Sequence, residues 1–298
     1  MTTLTEDELS WVRELMHRSA ALVLEPGKGY LVESRLGPIA RDEGLLLSQL
    51  ISKLRAEEYG PLHQRVVQAM TTNETSWFRD LHPFDALRTT VVPTLIERRR
   101  AERSLTIWSA ACSTGQEPYS IAMVLLDAFP ELSGWRVQIL ATDLSEDAVE
   151  RGRLARYSQM EVNRGLSAQQ IATHFDRIDA GWQVSQRIRS MVRFGVVNLV
   201  GAWPQIPAVD VVMLRNVMIY FDLETKRKLL DRIHGVLRTD GYLFLGNTES
   251  TLNIDDRFVR VAPNRAGCYQ LRSCGDGPMA SIHHSATTWS RPTEGTLT

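Results

Sequence analysis

The segment that begins at Leu105 constrains the fold more than any other part of this sequence. Its apolar stretch at 105–111 is typical of a buried strand, the small residues at 112–116 predict a tight loop, and a helix opens at Glu117 and Pro118. A strand that turns through glycine into a helix leaves unpaired backbone N–H groups directed at one point. In a doubly wound sheet, that point is the ligand crevice at the carboxyl end of the strand. The segment therefore predicts an α/β fold with a ligand site at this turn.

The residues of the turn indicate which class of ligand it takes. The G-x-G-x-x-G fingerprint of a dinucleotide site is absent, since Gly115 is the one glycine in this strand–loop–helix segment. Glu117 would repel a phosphate at the mouth of the turn, whereas it would attract an ammonium group. The alternative is an ordinary turn, with Glu117 in the first helical turn because a carboxylate there interacts favourably with the helix dipole.

Size and hydropathy place the chain in a broad class. With 298 residues, 43% hydrophobic residues and a net charge of −1, it is typical of a globular protein with an α/β core and a smaller domain. No apolar run approaches the ~20 residues of a membrane span, and residues 1–25 lack the apolar core of a signal peptide. We therefore expect a cytoplasmic protein without direct membrane insertion, and we expect it to be a monomer.

Cysteine and histidine show no spacing that is typical of metal ligands. The three cysteines form no C-x-x-C pair, and the seven histidines form no ligand cluster. This usage fits a reducing compartment and predicts no bound metal. A net charge near zero gives no global reason to expect a nucleic-acid partner, so none is expected.

Hydrophobic periodicity divides the chain into three parts. Residues 1–80 carry helical stripes, which predict an all-helical N-terminal domain of about four helices followed by an interdomain segment. Residues 81–272 alternate strands with helices, which predicts a largely parallel sheet with an antiparallel pair at its end and an inserted β-subdomain at about 165–192. Residues 273–298 have the composition of a disordered tail. The predicted strands are 105–111, 137–142, 192–197, 209–214, 242–246, 258–261 and 268–272, and the helices between them are 118–128, 145–153 and 223–237.

Polar residues directly follow three of the predicted strands. Asp143 comes after the second strand, Asn198 after the third, and Arg215 with Asn216 after the fourth. Because parallel strands end at the same edge of a sheet, these side chains should share one crevice with Glu117. An acid after the second strand is typical of a group that binds ribose hydroxyls. The alternative for Asp143 alone is a turn or capping residue.

The segment MTTNETSWFRD at 70–80 lies at the border of the two predicted domains. Its Thr, Asn and Ser residues could be helix caps, its aromatic residues could belong to the core, and Arg79 could pair with a surface acid. The alternative is that the segment contributes side chains to the crevice.

Five segments together carry a resemblance to a known family. MTTNETSWFRD, WSAACSTGQEPYSIA, ATDLS, VNL and LRNVMIYFD occur in this order, and the series resembles the CheR family of chemotaxis receptor methyltransferases, which use S-adenosylmethionine (SAM), over about residues 5–272. The resemblance implies a Rossmann-like SAM domain, a small helical N-terminal domain and an inserted β-subdomain. It also implies methylation of glutamate side chains on the cytoplasmic helices of chemoreceptors, with S-adenosylhomocysteine as the product.

The resemblance implies a role for each candidate site residue. Glu117 is similar to the acid that holds the methionine ammonium of SAM, and Asp143 is similar to the acid on the ribose hydroxyls. Tyr220 and Arg79 would lie near the reacting methyl group as the catalytic pair. The other residues that the resemblance places at the cofactor are Asn73 and Thr75 in the interdomain segment, with Arg79 again, and Asn198, Leu199, Arg215 and Asn216 around the adenine and the methionine carboxylate.

Two departures from the family pattern affect receptor recognition. In the family, the second N-terminal helix is rich in arginine and docks on acidic receptor helices. Here segment 30–41 keeps Arg35 and Arg41 but contains Pro38, which disfavours a continuous helix. Segment 174–190 is short and lacks the Gly-containing loop of members that tether to a receptor's C-terminal pentapeptide. We therefore expect methylation without pentapeptide tethering.

Three functions are compatible with these residues. The first is a receptor glutamate methyltransferase. The second is a SAM methyltransferase that acts on a small molecule or RNA, which predicts a base near the methyl group or a basic, aromatic-rich groove. The third is a non-catalytic SAM-sensing or scaffold protein. The sequence keeps both the cofactor residues and the substrate residues, which argues against this third function. The first function is our hypothesis.

Overall fold

The computed structural model describes residues 4–25, 27–261 and 266–272, and the predicted tail at 273–298 lies outside these described residues. The helices of the described part are α1 (Glu6–Ala20), α2 (Gly29–Asp42), α3 (Leu47–Ala56), α4 (Pro61–Ala69), α5 (His82–Ala86), α6 (Val92–Arg98), α7 (Gln116–Ala128), α8 (Glu146–Leu154), α9 (Gln159–Val162), α10 (Ala168–His174), α11 (Gln186–Arg189) and α12 (Leu223–Val236). The strands are β1 (Ser104–Ala110), β2 (Arg136–Asp143), β3 (Arg156–Tyr157), β4 (Phe175–Ile178), β5 (Gly181–Val184), β6 (Val192–Val196), β7 (Val209–Leu214), β8 (Leu237–Leu245), β9 (Phe258–Arg260) and β10 (Cys268–Leu271). No helix within these ranges is long and apolar enough to cross a membrane.

Helices α1–α4 pack around one apolar cluster at the start of the chain. A capping box begins α1: the Thr5 hydroxyl accepts from the backbone N–H of Glu8, and the Glu8 carboxylate accepts from the backbone N–H of Thr5. The buried stripe of α1 includes Val12, Leu15 and Met16, at the spacing of one helix face. The helical pattern predicted for this part of the sequence is therefore confirmed, while the domain boundary near residue 80 stays a prediction.

Helix α2 is continuous from Gly29 to Asp42 and contains Pro38. The expectation that this proline would disfavour a continuous helix was wrong. Proline removes one N–H donor from the helix, but the inward face of α2, with Val32, Leu36 and other apolar residues, is buried against the neighbouring helices. Packing of an amphipathic face outweighs one lost hydrogen bond.

Seven strands form the main sheet in the order β6-β2-β1-β7-β8-β10-β9. The first five of these run parallel, and β10 is antiparallel to both β8 and β9. This is the α/β, Rossmann-like arrangement predicted from the sequence, and the predicted strand order along the chain is confirmed. The boundaries of several elements differ by one or two residues, and β8 differs most, because Leu237, predicted as the end of a helix, begins this strand five residues before its predicted start.

Both faces of the sheet are covered, and β7 shows this most clearly. All six of its residues are buried. Val211 and Met213 pack into the apolar cluster on one face, whereas Val212 and Leu214 pack into the cluster on the other. A strand buried on both faces reads as a continuous apolar run. Because β7 is the central strand of the sheet, the residues that follow it lie at the middle of the sheet edge.

Between α8 and β6 lies a second sheet of three antiparallel strands in the order β3-β5-β4. Its first strand begins at Arg156, ahead of the range of about 165–192 predicted for the inserted subdomain. A strand of two residues is too short to show an alternating pattern in the sequence, which explains the late predicted start.

Trp77 joins this small sheet to the segment between the predicted domains. Its buried ring contacts Tyr157 of β3 and Phe175 of β4 edge-on, with ring centroids 4.9 and 5.2 Å apart. Gly165, at φ +115°, lies so close to the carbonyl of Trp77 that any Cβ would overlap it. The Tyr157 hydroxyl also donates to the carbonyl of Thr114 in the β1–α7 turn, at 2.7 Å. The small sheet is thus fixed to the edge of the main one.

Candidate active site

All the site residues predicted from the sequence line a single cleft. The cleft lies between the N-terminal helices and the carboxyl edge of the main sheet, and its lining includes Asn73, Thr75, Arg79, Glu117, Asp143, Asn198, Leu199, Arg215, Asn216 and Tyr220. The turn after β1, the ends of β2, β6 and β7, and the 70–80 segment each supply part of this set. The expectation that the strand ends share one crevice is confirmed as geometry, whereas the role of each residue stays a prediction.

A buried ion pair forms the floor of the cleft. The Glu117 carboxylate accepts from the Ser109 hydroxyl on one oxygen and from Arg215 Nη1 on the other, both at 2.8 Å. The Arg215 side chain is only 2% exposed, and its Nη2 donates to the Asp80 carboxylate and to the Arg79 carbonyl. Its Nε has no hydrogen-bond partner among the described residues.

Asp143 lies at the end of β2, and its residue is 6% exposed. Its carboxylate accepts from the backbone N–H of Ser113 at 2.7 Å and from that of Ser145 at 2.9 Å. Burial raises the pKa of Asp143 above its ordinary value, and these backbone hydrogen bonds oppose the rise. The alternative interpretation of Asp143 as a turn residue is therefore partly right, because it does hold two loops together.

The backbone that carries Arg79 is in an unusual conformation. Phe78, Asp80 and Leu81 all have positive φ, at 47°, 69° and 39°. Such conformations cost energy in residues other than glycine and persist where surrounding contacts enforce them. Here Arg215 supplies those contacts through the Arg79 carbonyl and the Asp80 carboxylate. The guanidinium of Arg79 is half-buried and donates to the Glu74 carbonyl at 3.0 Å.

The remaining predicted residues differ in whether they already form hydrogen bonds within the fold. The amide of Asn198 donates to the Ser19 carbonyl of α1 at 2.7 Å and accepts from the backbone N–H of Val200 at 3.1 Å. Leu199 is buried. The Tyr220 carbonyl accepts from the backbone N–H of Val23, so the connection between α1 and α2 is fixed across the cleft. Asn198 is thus a structural bridge as well as a lining residue.

Residues 73–266 match the family described as CheR methyltransferase, SAM binding domain. The chain belongs to this CheR methyltransferase family. Chemotaxis protein methyltransferase 1 of Pseudomonas aeruginosa is 41% identical over 255 residues, which cover 84% of this chain and 92% of that protein. The chemotaxis protein methyltransferase of Escherichia coli is 32% identical over 254 residues, which cover 83% of this chain and 86% of that protein.

Among solved structures, the chain is similar to the DhpI–SAH complex, with a TM-score of 0.30, 13% sequence identity and coverage of 65% of this chain and 75% of that one. The assignment to the CheR family does not depend on this distant similarity.

The CheR family assignment makes SAM the cofactor, and the groups of the cleft fit it. Glu117 accepts one hydrogen bond on each oxygen, and Asp143 accepts from the backbone of Ser113, Ser145 and Leu144. Because each carboxylate oxygen has two lone-pair sites, both acids keep acceptor capacity for the ammonium and hydroxyl donors of SAM. Within the described ranges, no group of three or more His, Cys, Asp or Glu residues could hold a metal ion.

Sequence reasoning missed three residues that shape the cleft of this CheR-family chain. Glu249 accepts from the backbone N–H groups of Asn216 and Gly246, both at 2.7 Å, and so holds the turn after β7. The sequence could have indicated Glu249, because this residue closely follows β8 at the same edge of the sheet. Cys112 lines the cleft, but burial raises the pKa of its thiol well above the ordinary value. Lys28 also lies on the lining.

Proposed function

We propose that this chain transfers a methyl group from SAM to glutamate side chains on the cytoplasmic helices of chemoreceptors. The observation that carries the proposal is one cleft that holds both the buried acids suited to SAM and the pair Arg79 and Tyr220 suited to a carboxylate substrate. The relatives named as chemotaxis protein methyltransferases support this class of substrate. Because those helices lie in the cytoplasm, we propose the same compartment for this chain; its monomeric state stays a prediction.

The groups of SAM are assigned by charge and by hydrogen-bonding capacity. Glu117 would bind the ammonium group, and Asp143 would bind the ribose hydroxyls. Arg215 and Asn216, which both line the cleft, would bind the methionine carboxylate. The residues proposed around the adenine and along the interdomain wall are Asn198, Leu199, Asn73, Thr75 and Arg79.

When bound, SAM supplies a methyl group attached to a positively charged sulfur. A glutamate carboxylate has an ordinary pKa near ~4.3, so it is ionised at neutral pH and needs no general base. Cys112 does not compete as a nucleophile, because its raised pKa keeps the buried thiol protonated. The task of the protein is therefore to orient the carboxylate and to exclude water, and positioning of this kind can supply roughly 7–11 kcal/mol.

Arg79 would orient the substrate carboxylate. Its hydrogen bond to the Glu74 carbonyl fixes the side chain, and the guanidinium has five N–H donors in a planar fork that suits a carboxylate. The ion pair between Arg79 and the substrate carboxylate must be only moderately strong. The carboxylate loses its charge in the transition state, so a very strong pair would stabilise the ground state and slow the reaction. Tyr220 would contribute its hydroxyl and one wall of the site.

We further propose that the chain works without pentapeptide tethering. The small sheet has only residues 179 and 180 between β4 and β5, so the turn has no room for a binding loop. Gly181, at φ +142°, is required where its Cα passes the Tyr157 carbonyl, since a Cβ there would overlap that oxygen. The one glycine of this stretch thus serves packing within the sheet.

Transfer of labelled methyl to receptor fragments tests the proposed function. The purified chain is incubated with methyl-labelled SAM and a cytoplasmic receptor fragment, and the modified residues are mapped. We expect label that mild base releases as methanol, which is characteristic of a carboxylate ester, and loss of label when the mapped glutamates become alanine. Arg79→Lys is the matched variant: it keeps the charge but loses the planar fork, so we expect SAM binding with slower transfer.

Each other outcome would contradict the proposal. Base-stable label, or transfer only to a small molecule or RNA, would identify a different methyltransferase. Binding of SAM without transfer to any receptor fragment would indicate a sensing protein.

A further inference from the structure

Arg35, on helix α2, directs its guanidinium at the interdomain segment. Nη1 donates to the carbonyls of Met70 and Thr71 at 2.5 and 2.7 Å, and Nη2 donates to the Thr72 hydroxyl at 3.1 Å. The side chain is thus engaged by three acceptors of its own chain. The resemblance to the family places Arg35 among arginines that dock on a receptor, but this geometry gives it an internal partner.

The segment that Arg35 holds is one wall of the cofactor cleft. Residues 70–75 all lie on the lining, and residues 72–76 have no helix or strand to fix them. At the other end of this wall, the Ser113 hydroxyl donates to the Asn73 carbonyl at 2.8 Å. The backbone N–H of the same serine donates to Asp143. In addition to the contact between Arg79 and the Glu74 carbonyl, the wall is therefore held by Arg35 and by Ser113, and the contact with Ser113 leads directly to a buried acid of the cleft.

The chemistry of these contacts favours arginine over other residues. Met70 and Thr71 follow directly on the end of α4, where helix carbonyls lack partners and a cation is favoured by the helix dipole. A planar guanidinium can reach two carbonyls and a hydroxyl at once, whereas a lysine ammonium is a single point of charge.

We propose that Arg35 is a positioning residue for SAM binding, which acts by holding residues 70–72 so that the wall through Asn73 meets the turn after β1. The proposal rests on the SAM site of the proposed function but not on which substrate accepts the methyl group. Its readout is therefore cofactor binding in the absence of any receptor.

Calorimetric titration of the full chain with S-adenosylhomocysteine tests the proposal. Arg35→Ala should weaken binding about tenfold or more, the factor that one lost charge-assisted hydrogen bond is worth. Arg35→Lys should restore part of the affinity. Arg41→Ala, on the same helix but outside the cleft lining, is the matched control and should bind within twofold of the unaltered chain. Hydrogen exchange should show faster exchange at residues 71–75 in Arg35→Ala, with α2 still protected.

Two results would overturn the proposal. One is an Arg35→Ala chain, folded by its melting transition, that binds S-adenosylhomocysteine within twofold of the unaltered chain. The other is an equal loss of affinity in Arg41→Ala, which would indicate a general effect of positive charge on α2. If Arg35→Ala does not fold, Arg35→Lys decides the question: unchanged affinity rejects the positioning role, and reduced affinity in a folded chain supports it.

Discussion

Replacing Glu117 by glutamine distinguishes the contribution of its charge to cofactor binding from the contribution of its hydrogen bonds to stability. The carboxylate accepts from Ser109 and from Arg215, and a glutamine can keep both contacts by turning its oxygen to Arg215 and its amide N–H to the Ser109 hydroxyl. Arg215 also keeps its contact with the Asp80 carboxylate at 2.9 Å. The free energy of unfolding should therefore fall by only about 1 kcal/mol. Binding loses a charge-assisted hydrogen bond to the ammonium, worth about 1.5–3 kcal/mol, which is roughly 10- to 150-fold in affinity.

Alanine at the same position should behave differently. It leaves Nη1 of the buried Arg215 without an acceptor while the contact with Asp80 remains, and a buried donor that loses its partner costs about 1–3 kcal/mol. For a chain of this size, such a loss lowers Tm by roughly 2–12 °C. Calorimetry with S-adenosylhomocysteine and differential scanning calorimetry measure the two effects. A Glu117→Gln chain that binds within twofold of the unaltered chain would refute the ammonium assignment, and equal Tm values for both variants would refute the account of the ion pair.

Four further predictions concern other parts of the chain. Tyr220→Phe should bind S-adenosylhomocysteine normally but turn over more slowly in a methyl-transfer assay, and an unchanged rate would remove its hydroxyl from the catalytic role. Burial raises the pKa of Asp143, so the folded chain holds the proton of this carboxyl group more tightly than the unfolded chain does. As the pH rises above 3.8, the ordinary pKa of an aspartate, the Tm of the unaltered chain should therefore fall relative to that of Asp143→Asn. Parallel curves of Tm against pH for the two chains would contradict this. Gly165→Ala should lose roughly 2–5 kcal/mol in denaturant unfolding, because its Cβ meets the Trp77 carbonyl, whereas Gly44→Ala, at φ +68° in open space, should lose only about 1–2 kcal/mol. Peptides from receptor C-termini should show no micromolar binding, and such binding, if lost when residues 179–180 are altered, would disprove the absence of tethering.

The sequence predicted the main sheet well where a strand is buried on both faces, as β7 is. The run 209–214, which is apolar except for Asp210 and is followed by Arg215, coincides with β7 residue for residue. The polar residues after such strands were then placed at one edge by topology alone. The same rule extended to β8 would have indicated Glu249.

What the sequence could not show depends on contacts between distant residues. Pro38 lies inside α2 because tertiary packing outweighs local preference. The two-residue strand β3 exists through its pairing with β5. The partners of Arg215 and Arg35 are also distant in sequence, so charge alone did not distinguish an internal arginine from a docking one.

The small sheet is held by Trp77 at both ends of its strands. Trp77 contacts Phe175 at the start of β4 and Tyr157 of β3, and Tyr157 pairs with Trp182, next to Gly181 and the turn at 179–180. The Tyr157 hydroxyl also donates to the Thr114 carbonyl in the turn after β1. A longer loop grafted between β4 and β5 would therefore lie beside a residue that supports the edge of the cofactor cleft, and such a graft must keep Gly181 and the pairing of Tyr157 intact.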